Sequence, residues 1–541
     1  MSFTRIGDGR GWTFLNGRWS DGPDGELLPP DGADVQYMAV AHEREYADFT
    51  ARFRFRLRLG FNVARMLFAV QDSMSYYALE IPFGGQQSRV RHFWAGIVVA
   101  DGTPLQRYLT FKMVPGITPR LHDWYDARLE VRGPRMRAWI NGIFALDATD
   151  STYLAGRLGF MSIVSPGTAT AHYADLRVEG QTIGRTAWGG LTLPARHYIT
   201  PCSVADPETF QGQLGIIKTK ESQLIAEITY GDPNVLTLKS ISWVRSHDAG
   251  RTWSKPEPVP HTLPGGMGDA GYNEAPFVKQ DGTLVLVFSR ADSEGPGSAR
   301  QALHTYESKD DGRTWTGPHP MDVDGEWPPE FVRPGMTAAY PLRLRDGTLL
   351  VYLYTKIEAA TYEKDWVWTA YVLRSTDDGA TWSAPVRAER NNVDQDPWFQ
   401  AATLTETGWA QVEDGVVIGL SRPMLEPFMW KIESRDGGVT WEPASYAPFP
   451  GYCISLTHTA TGALLAVTRY PHLCAHVSWD GGRNWDQGTI IDYPPWANHS
   501  AVEVEPGVVL VIYMGDITEP GKADTRVLRL RPTYEGLKIE P

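Results

Sequence analysis

The chain has 541 residues, of which 42% are hydrophobic and 11% aromatic, with 53 glycines and 39 prolines. Its length exceeds that of one ordinary hydrophobic core and predicts two or three domains, and its composition favours many strands joined by tight turns over long helices. The formal net charge of −13 excludes a general surface for nucleic acid or anionic membrane, because those partners require a basic protein.

Cysteine usage and hydropathy exclude further classes of protein. The three cysteines, Cys202, Cys453 and Cys474, form neither a disulfide framework nor a C-x-x-C metal motif, so we expect no metal and no other cofactor. No apolar run approaches the length of a membrane span, and residues 1–12 lack the hydrophobic core of a signal peptide. The sequence leaves two localisations open: the cytoplasm, or export followed by removal of a leader.

Residues 1–180 predict a β-sandwich that begins with an irregular lead-in over residues 1–50. Residues 52–59 alternate between arginine and apolar residues, which places four arginines on one face of a strand. This face is interpreted either as ordinary solvated surface or as a basic patch for an acidic polymer. Asn141-Gly142 indicates a type I′ hairpin turn. The other strand-like runs are Met66–Val70, Tyr76–Phe83, Tyr108–Val114, Ala127–Val131, Met136–Ile140, Gly159–Ile163 and Ala171–Val178.

Residues 181–197, which contain Gly189-Gly190 and no clear periodicity, predict a linker to a second domain over residues 198–541. This second domain repeats an S-x-D-x-G-x-[TN]-W octapeptide, in which Asp can bond backbone N–H groups, Gly accepts a positive φ and Trp buries a ring. Six hairpin signals, the last at Pro506-Gly507, predict six propeller blades. The five octapeptides are Ser246–Trp253, Ser308–Trp315, Ser375–Trp382, Ser434–Trp441 and Ser478–Trp485.

The octapeptide resembles the Asp-box, or BNR repeat, of the sialidase superfamily, and the resemblance covers about residues 195–541. The last unit lacks a box, so the strand near Tyr198–Val204 is expected to complete its sheet. Residues 124–131, 138–142 and 156–160 resemble the concanavalin and laminin-G-like jelly rolls that accompany carbohydrate-active enzymes. The expected fold is therefore all-β, a jelly-roll sandwich followed by a six-bladed propeller. The resemblance also implies that the boxes lie on the face away from the active site.

The resemblance implies a site with an Asp acid, a Tyr nucleophile assisted by Glu, and three arginines that hold a substrate carboxylate. Asp232, before Pro233 at the end of the first unit's apolar strand, is the candidate acid, and an ordinary turn Asp is the alternative. Glu406 and Arg422 stand eight residues either side of Asp414, so they are expected to meet at one end of a hairpin, as a functional pair or a surface ion pair. Arg469 occupies the equivalent position in the next unit.

Two parts of the family pattern are missing from the sequence. No arginine occurs near Gln211, where the first clamp arginine is expected, and His499 stands where the Tyr nucleophile is expected. Histidine titrates near neutral pH and can act as a general base, and a structural imidazole is the alternative. Tyr493 is close in sequence, but it would need a shifted loop to replace the nucleophile. Further candidates for lining a sugar pocket are Arg290, Arg333, Asn273, Glu274 and Tyr340.

The sequence thus predicts a hydrolase that removes a terminal acidic sugar from a glycan. His499 activates water, Glu406 orients His499, and Asp232 is the acid. One alternative is a polysaccharide lyase, in which His499 removes the proton beside a uronate carboxylate held by Arg422 and Arg469. Another is a non-catalytic glycan-binding protein. The expected partner is an oligosaccharide or polysaccharide, with no nucleic acid and no membrane.

Overall fold

The computed structural model describes residues 2–3, 9–30, 36–58, 62–83, 93–164, 170–184, 187–192, 197–203, 210–211, 215–232, 237–258, 275–289, 303–327, 336–337, 340–356, 368–388, 404–422, 428–493, 499–515 and 524–541. Within these residues the chain is all-β apart from one short 3-10 helix at Pro23–Gly25, as the composition predicts. No helix in this part of the chain is long and apolar enough to cross a membrane.

The chain divides into two compact units. Unit 1 comprises Met1–His197, Tyr470–Ala475 and Gln487–Trp496, and unit 2 comprises Tyr198–Arg469, His476–Asp486 and Ala497–Pro541. The strands before residue 198 are β1 (Ser2–Phe3), β2 (Trp12–Leu15), β3 (Ser20–Asp21), β4 (Leu27–Leu28), β5 (Gln36–Arg56), β6 (Asn62–Val70), β7 (Ser75–Phe83), β8 (Phe93–Asp101), β9 (Gln106–Val114), β10 (Trp124–Arg132), β11 (Arg135–Ile140), β12 (Ile143–Thr149), β13 (Gly156–Val164) and β14 (His172–Ile183).

The remaining strands follow in chain order. They are β15 (Ile199–Ser203), β16 (Phe210–Gln211), β17 (Ile216–Lys218), β18 (Leu224–Asp232), β19 (Thr237–Ser246), β20 (Glu257–Pro258), β21 (Ala275–Val278), β22 (Leu284–Ser289), β23 (Leu303–Ser308), β24 (Thr316–Pro320), β25 (Met336–Thr337), β26 (Leu342–Arg343), β27 (Leu349–Lys356), β28 (Trp368–Ser375), β29 (Val386–Arg387), β30 (Thr407–Glu413), β31 (Val416–Ser421), β32 (Phe428–Ser434), β33 (Ser445–Pro450), β34 (Ile454–His458), β35 (Leu464–Thr468), β36 (Leu473–Ser478), β37 (Thr489–Asp492), β38 (His499–Glu505), β39 (Val508–Met514), β40 (Asp524–Thr533) and β41 (Gly536–Ile539).

Unit 1 is built on the long strand β5, which belongs to two sheets. Its second half pairs with β14 and β10, and β10 continues to β11 and β12. Its first half pairs with β2 and β13, and β13 continues through β6, β7 and β8 to β9. The two sheets enclose one aromatic core, in which Phe55 contacts Phe93 and Phe160 contacts Tyr173. This is the arrangement of a β-sandwich.

The structure contradicts part of one sequence expectation for unit 1 and confirms another. The lead-in expected over residues 1–50 is wrong for residues 36–50, which form the first half of β5. The alternation is hidden over residues 37–41 because both faces are buried there, as the low exposure of Met38 and Ala39 shows. The hairpin expected at Asn141-Gly142 is confirmed, since it joins β11 to β12 with positive φ values of 47° and 78°.

Unit 1 also holds a fully buried polar network. Arg65 Nε donates to Glu80 Oε2 at 2.6 Å, and His472 Nε2 is hydrogen-bonded to the same oxygen at 3.0 Å. All three side chains are completely inaccessible to solvent. Burial raises the pKa of Glu80, but Arg65 and His472 lower it further, to about 2. The carboxylate is therefore ionised at neutral pH in spite of its burial.

Unit 2 contains five separate sheets of four or five strands in a propeller-like arrangement of five blades. The sheets are β15-β40-β39-β38 with β41, β16-β18-β19-β20 with β17, β21-β22-β23-β24, β25-β27-β28-β29 with β26, and β30-β31-β32-β33. Strands β34, β35, β36 and β37 also pair in chain order, and of these β37 and the first half of β36 belong to unit 1. The expected closure is confirmed, because β15 pairs antiparallel with β40, with Ile199 opposite Val527.

The five octapeptide boxes adopt one hydrogen-bonded turn. In the fourth box Gly438 N donates to Ser434 Oγ at 2.8 Å, and Thr440 donates through its N and Oγ1 to the two oxygens of Asp436. In the fifth box the amide of Asn484 replaces the threonine hydroxyl and donates to Asp480 at 2.7 Å. The aspartates are therefore structural hydrogen-bond acceptors, as the motif predicts.

Candidate functional site

The candidate site lies at one end of the blade formed by β30 to β33. Glu406 directly precedes β30 and Arg422 directly follows β31, and Thr407 is opposite Ser421 in the register of this hairpin. Arg422 N donates to the Glu406 carbonyl at 3.0 Å, and Arg422 Nη1 donates to Glu406 Oε1 at 2.7 Å. The two side chains meet as the hairpin spacing predicts.

The fourth box lies at the opposite end of the same blade. Gly437 N donates to the Gly415 carbonyl at 2.8 Å, and Gly415 is in the turn between β30 and β31. The box aspartate Asp436 and the Glu406–Arg422 pair are therefore separated by the length of the strands.

The Glu406–Arg422 pair is mostly buried and retains hydrogen-bonding capacity. The side chains are 23% and 19% exposed. Glu406 Oε2 and Arg422 Nε are both buried and have no hydrogen-bond partner among the residues that the structure describes. Burial raises the pKa of Glu406, but Arg422 and Arg469 outweigh it and leave the pKa below its usual value. Glu406 is therefore a carboxylate at neutral pH.

The next strand pair contributes a second set of residues. Arg469 directly follows β35, and its main-chain N donates to the Tyr452 carbonyl at 3.1 Å. The Tyr452 ring centre is 5.8 Å from Arg422 Cζ, a cation–π distance. Cys453 directly precedes β34 with a positive φ of 49°. Burial and Glu406 raise the pKa of the Cys453 thiol to about 12, which keeps it protonated.

Sequence reasoning missed Tyr452, Cys453 and Tyr354. Burial, followed by Glu406, raises the pKa of Tyr354, which lies near the end of β27. Tyr452 and Cys453 precede β34 as Glu406 precedes β30, so alignment of the repeat units by strand starts was a usable signal. Tyr354 belongs to the preceding sheet, and no pattern in the neighbouring sequence indicates that it is a site residue.

His499 opens β38, as the alignment of the units predicts, and is 7% exposed. Its Nε2 is hydrogen-bonded to the Val467 carbonyl at 2.8 Å, and a carbonyl oxygen can only accept, so Nε2 carries a proton. Any basic function therefore falls to Nδ1. Val467 lies in β35 two residues before Arg469, which places this contact at the same strand end as Arg469.

Tyr340 joins three strands through its hydroxyl and carbonyl. Its Oη accepts a hydrogen bond from Ile216 N at 2.7 Å and is bonded to Ser500 Oγ at 3.0 Å. Its carbonyl accepts from Trp409 Nε1 at 2.6 Å. Ser500 directly follows His499, so the side chain bonded to the Tyr340 hydroxyl belongs to the residue next to the candidate base.

The other expected site residues are distributed as follows. Asp232 ends β18 opposite Thr237, and its side chain lies outside the described residues. Tyr493 belongs to unit 1, where its hydroxyl accepts from Arg65 Nη1 at 3.3 Å. No group of three or more His, Cys, Asp or Glu side chains in the described part of the chain is placed to hold a metal ion. The expected residues that lie outside the described part entirely are Arg290, Arg333, Asn273 and Glu274.

Two family models match the chain. A BNR repeat-like domain matches residues 231–450 and again residues 351–530. A 3-keto-alpha-glucoside-1,2-lyase-like domain matches residues 2–179. A search of curated proteins finds no match.

Three solved structures match the chain at low sequence identity. A Hadza microbial sialidase is 15% identical, with 93% of this chain and 94% of that one covered and a TM-score of 0.46. The NanB sialidase from Streptococcus pneumoniae is 12% identical, with 90% and 95% covered and a TM-score of 0.46. The carbohydrate binding module CBM66 from Bacillus subtilis is 18% identical, with 31% of this chain and 96% of that one covered and a TM-score of 0.25.

Proposed function

The chain belongs to the sialidase-like superfamily of BNR-repeat proteins, and from this premise we propose that it is a hydrolase that releases a terminal acidic sugar from a glycan. The observation that carries the proposal is the pair of Glu406 and Arg422 at the strand ends opposite the Asp-boxes. Arg422 and Arg469 bring two positive charges to one carboxylate, Glu406, and this excess suits a substrate that carries a carboxylate of its own.

The lowered pKa of Glu406 supports the following division of roles. Because the pKa of Glu406 is lowered, Glu406 acts as an anion that holds Arg422 and supports developing positive charge, and the proton donor must be another group. We assign that role to Asp232. His499 acts through Nδ1 as the base that activates water, since its Nε2 is bonded to Val467. Together these roles describe an inverting hydrolysis.

We also propose the domain organisation that the sequence predicts. Strands β34 to β37 would be the sixth blade, because they pair in chain order, as the strands of β21-β22-β23-β24 and β30-β31-β32-β33 do. Residues 198–541 would then be the catalytic propeller, residues 181–197 the linker, and residues 1–180 a companion sandwich. A closed ring of six blades leaves only short, protected sheet edges.

Incubation with a panel of acidic oligosaccharides tests the reaction. Hydrolysis gives new reducing ends without ultraviolet absorbance, a lyase gives an absorbing unsaturated uronate, and a lectin gives neither product. Asp232→Asn and Glu406→Gln are each expected to abolish turnover in a folded protein. The matched control is Glu413→Gln at the other end of β30, where the side chain is 55% exposed and pairs with Arg483. Wild-type rates in both site variants would contradict the assignment of Asp232 and Glu406 as catalytic residues.

A second experiment tests whether Arg422 binds a carboxylate of the substrate. Arg422→Lys replaces a planar guanidinium by a single ammonium and is expected to lower kcat/KM for acidic substrates roughly ten-fold or more, with a smaller effect on their neutral esters. Arg483→Lys, at a 67% exposed position, is the control. Equal losses for the acid and its ester would contradict recognition of a carboxylate.

A further inference from the structure

The outer face of one sandwich sheet carries a row of arginines directly opposite one another. In the register of β14, β5 and β10, Arg177 is opposite Arg52, and Arg52 is opposite Arg128. The row continues to Trp139 on β11, which is opposite Arg128. Like charges opposite one another on adjacent strands destabilise a sheet by ~0.2–1 kcal/mol per pair. Fold stability therefore does not account for this arrangement.

Positive charge exceeds negative charge over the whole of this face, although the chain as a whole is acidic. Among the described residues, β14, β10, β11, β12 and the second half of β5 carry eight arginines and six carboxylates on their outward positions. The arginines are Arg52, Arg54, Arg56, Arg128, Arg132, Arg135, Arg137 and Arg177, and the carboxylates are Asp48, Asp126, Glu130, Asp147, Asp175 and Glu179. The face is thus a cationic region on an anionic protein, which attracts anions.

The indole rings on this face hold guanidinium groups in place. Trp124 has Arg54 Cζ at 5.0 Å and Arg56 Cζ at 5.1 Å from its ring centre. Trp139 has Arg128 Cζ at 4.3 Å in the same way. Stacking fixes the plane of a guanidinium and leaves its N–H edge available, so less conformational entropy is lost when an anion binds. Trp124 and Arg128 lie four residues apart on β10, so the two stacking positions are ~13 Å apart along the strand.

Six of the eight arginines already pair with a carboxylate, and two of them, Arg128 and Arg137, share Glu130. Arg52 is paired with Glu179 at 3.5 Å, with the two side chains 50% and 75% exposed. An exposed pair of this kind contributes only ~0–1 kcal/mol, so exchanging Glu179 for a carboxylate on a ligand costs little.

We propose that this face binds an acidic polysaccharide that carries about one carboxylate per sugar, and so recruits the polymer on which unit 2 acts. The choice of a polysaccharide rests on the proposed function. The interspersed carboxylates also favour widely spaced charges over a nucleic acid, whose phosphates lie ~1.7 Å apart along the helix axis. The face extends over five paired strands, β14, β5, β10, β11 and β12, which suits a linear chain running across several strands.

Affinity electrophoresis of the full chain in gels containing polygalacturonate tests the proposal, with dextran as the neutral polymer. The wild type is expected to be retarded by polygalacturonate alone, and less so as salt increases. The double variant Arg52→Gln/Arg128→Gln is expected to bind roughly ten-fold more weakly, with a melting temperature equal to or above that of the wild type, because the row of like charges is broken. Arg483→Gln removes the same kind of charge in unit 2 and should remain retarded.

Three results would overturn the proposal: no retardation of the wild type, equal retardation of wild type and double variant, or retardation by single-stranded DNA without retardation by polygalacturonate. Turnover of short acidic oligosaccharides is measured in parallel, to separate this proposal from the hydrolase. A retarded but inactive protein would contradict only the hydrolase, and an active protein that is not retarded would contradict only the binding face.

Discussion

Substitution of Tyr340 by Phe removes one hydroxyl and keeps the ring. Ile216 is 5% exposed, and its main-chain N–H donates to that hydroxyl, so the variant leaves a buried donor without its acceptor. An unsatisfied buried donor costs roughly 1–3 kcal/mol. No cavity term is added, because the ring fills the same volume. The same hydroxyl is bonded to Ser500 Oγ, so both β17 and β38 lose an attachment.

Hydrogen–deuterium exchange measured by mass spectrometry is the assay, because it reports local opening within a two-unit protein. Peptides containing Ile216 and Ser500 are expected to exchange about 5- to 150-fold faster, the equivalent of 1–3 kcal/mol. KM for an acidic oligosaccharide should change less than about two-fold, because the hydroxyl is already engaged by the protein. Tyr534→Phe, at an 86% exposed position, is the control. Unchanged exchange together with a raised KM would refute the reasoning and return Tyr340 to substrate binding.

Three further predictions address the boxes, the buried network and the thiol. Asp436→Ala removes the acceptor of both Thr440 hydrogen bonds and is expected to lower the free energy of unfolding of unit 2 by about 2 kcal/mol with unchanged turnover, as calorimetry and initial rates would show. The pKa of Glu80 is about 2 in the folded chain and 4.5 in its reference state, so its contribution of about 3 kcal/mol is complete above pH 4.5 and is lost as the pH falls toward 2. Calorimetry of unit 1 across that window would measure the loss, and Glu80→Gln should flatten it. Because burial raises the pKa of Cys453 to about 12, its peptide should stay unmodified by iodoacetamide at about pH 8 in the native protein, and rapid labelling would contradict this.

The parts of the fold that depend on short contiguous sequence could be predicted. The Asp-box turns are specified by hydrogen bonds between residues at most four positions apart, so the octapeptide alone defines them. The meeting of Glu406 and Arg422 could also be predicted, because a two-residue turn at Asp414-Gly415 fixes the register of the whole hairpin. In both cases the physical constraint is local.

Long-range contacts could not be predicted from the sequence. His472 and Glu80 are 392 positions apart, and nothing in either neighbourhood indicates that they share a buried hydrogen bond. Tyr354 comes to the candidate site through the packing of one sheet against the next, which no periodicity encodes. Residues 37–41 of β5 escaped detection for a different reason, since burial on both faces removes the alternation by which a strand is identified.

The pairing of β15 with β40 constrains how the protein is made. It brings together residues more than 300 positions apart, so the first strand of unit 2 must wait for the last part of the chain before it gains a partner. Until β40 has been synthesised, the edge of β15 lacks this partner and needs protection from aggregation.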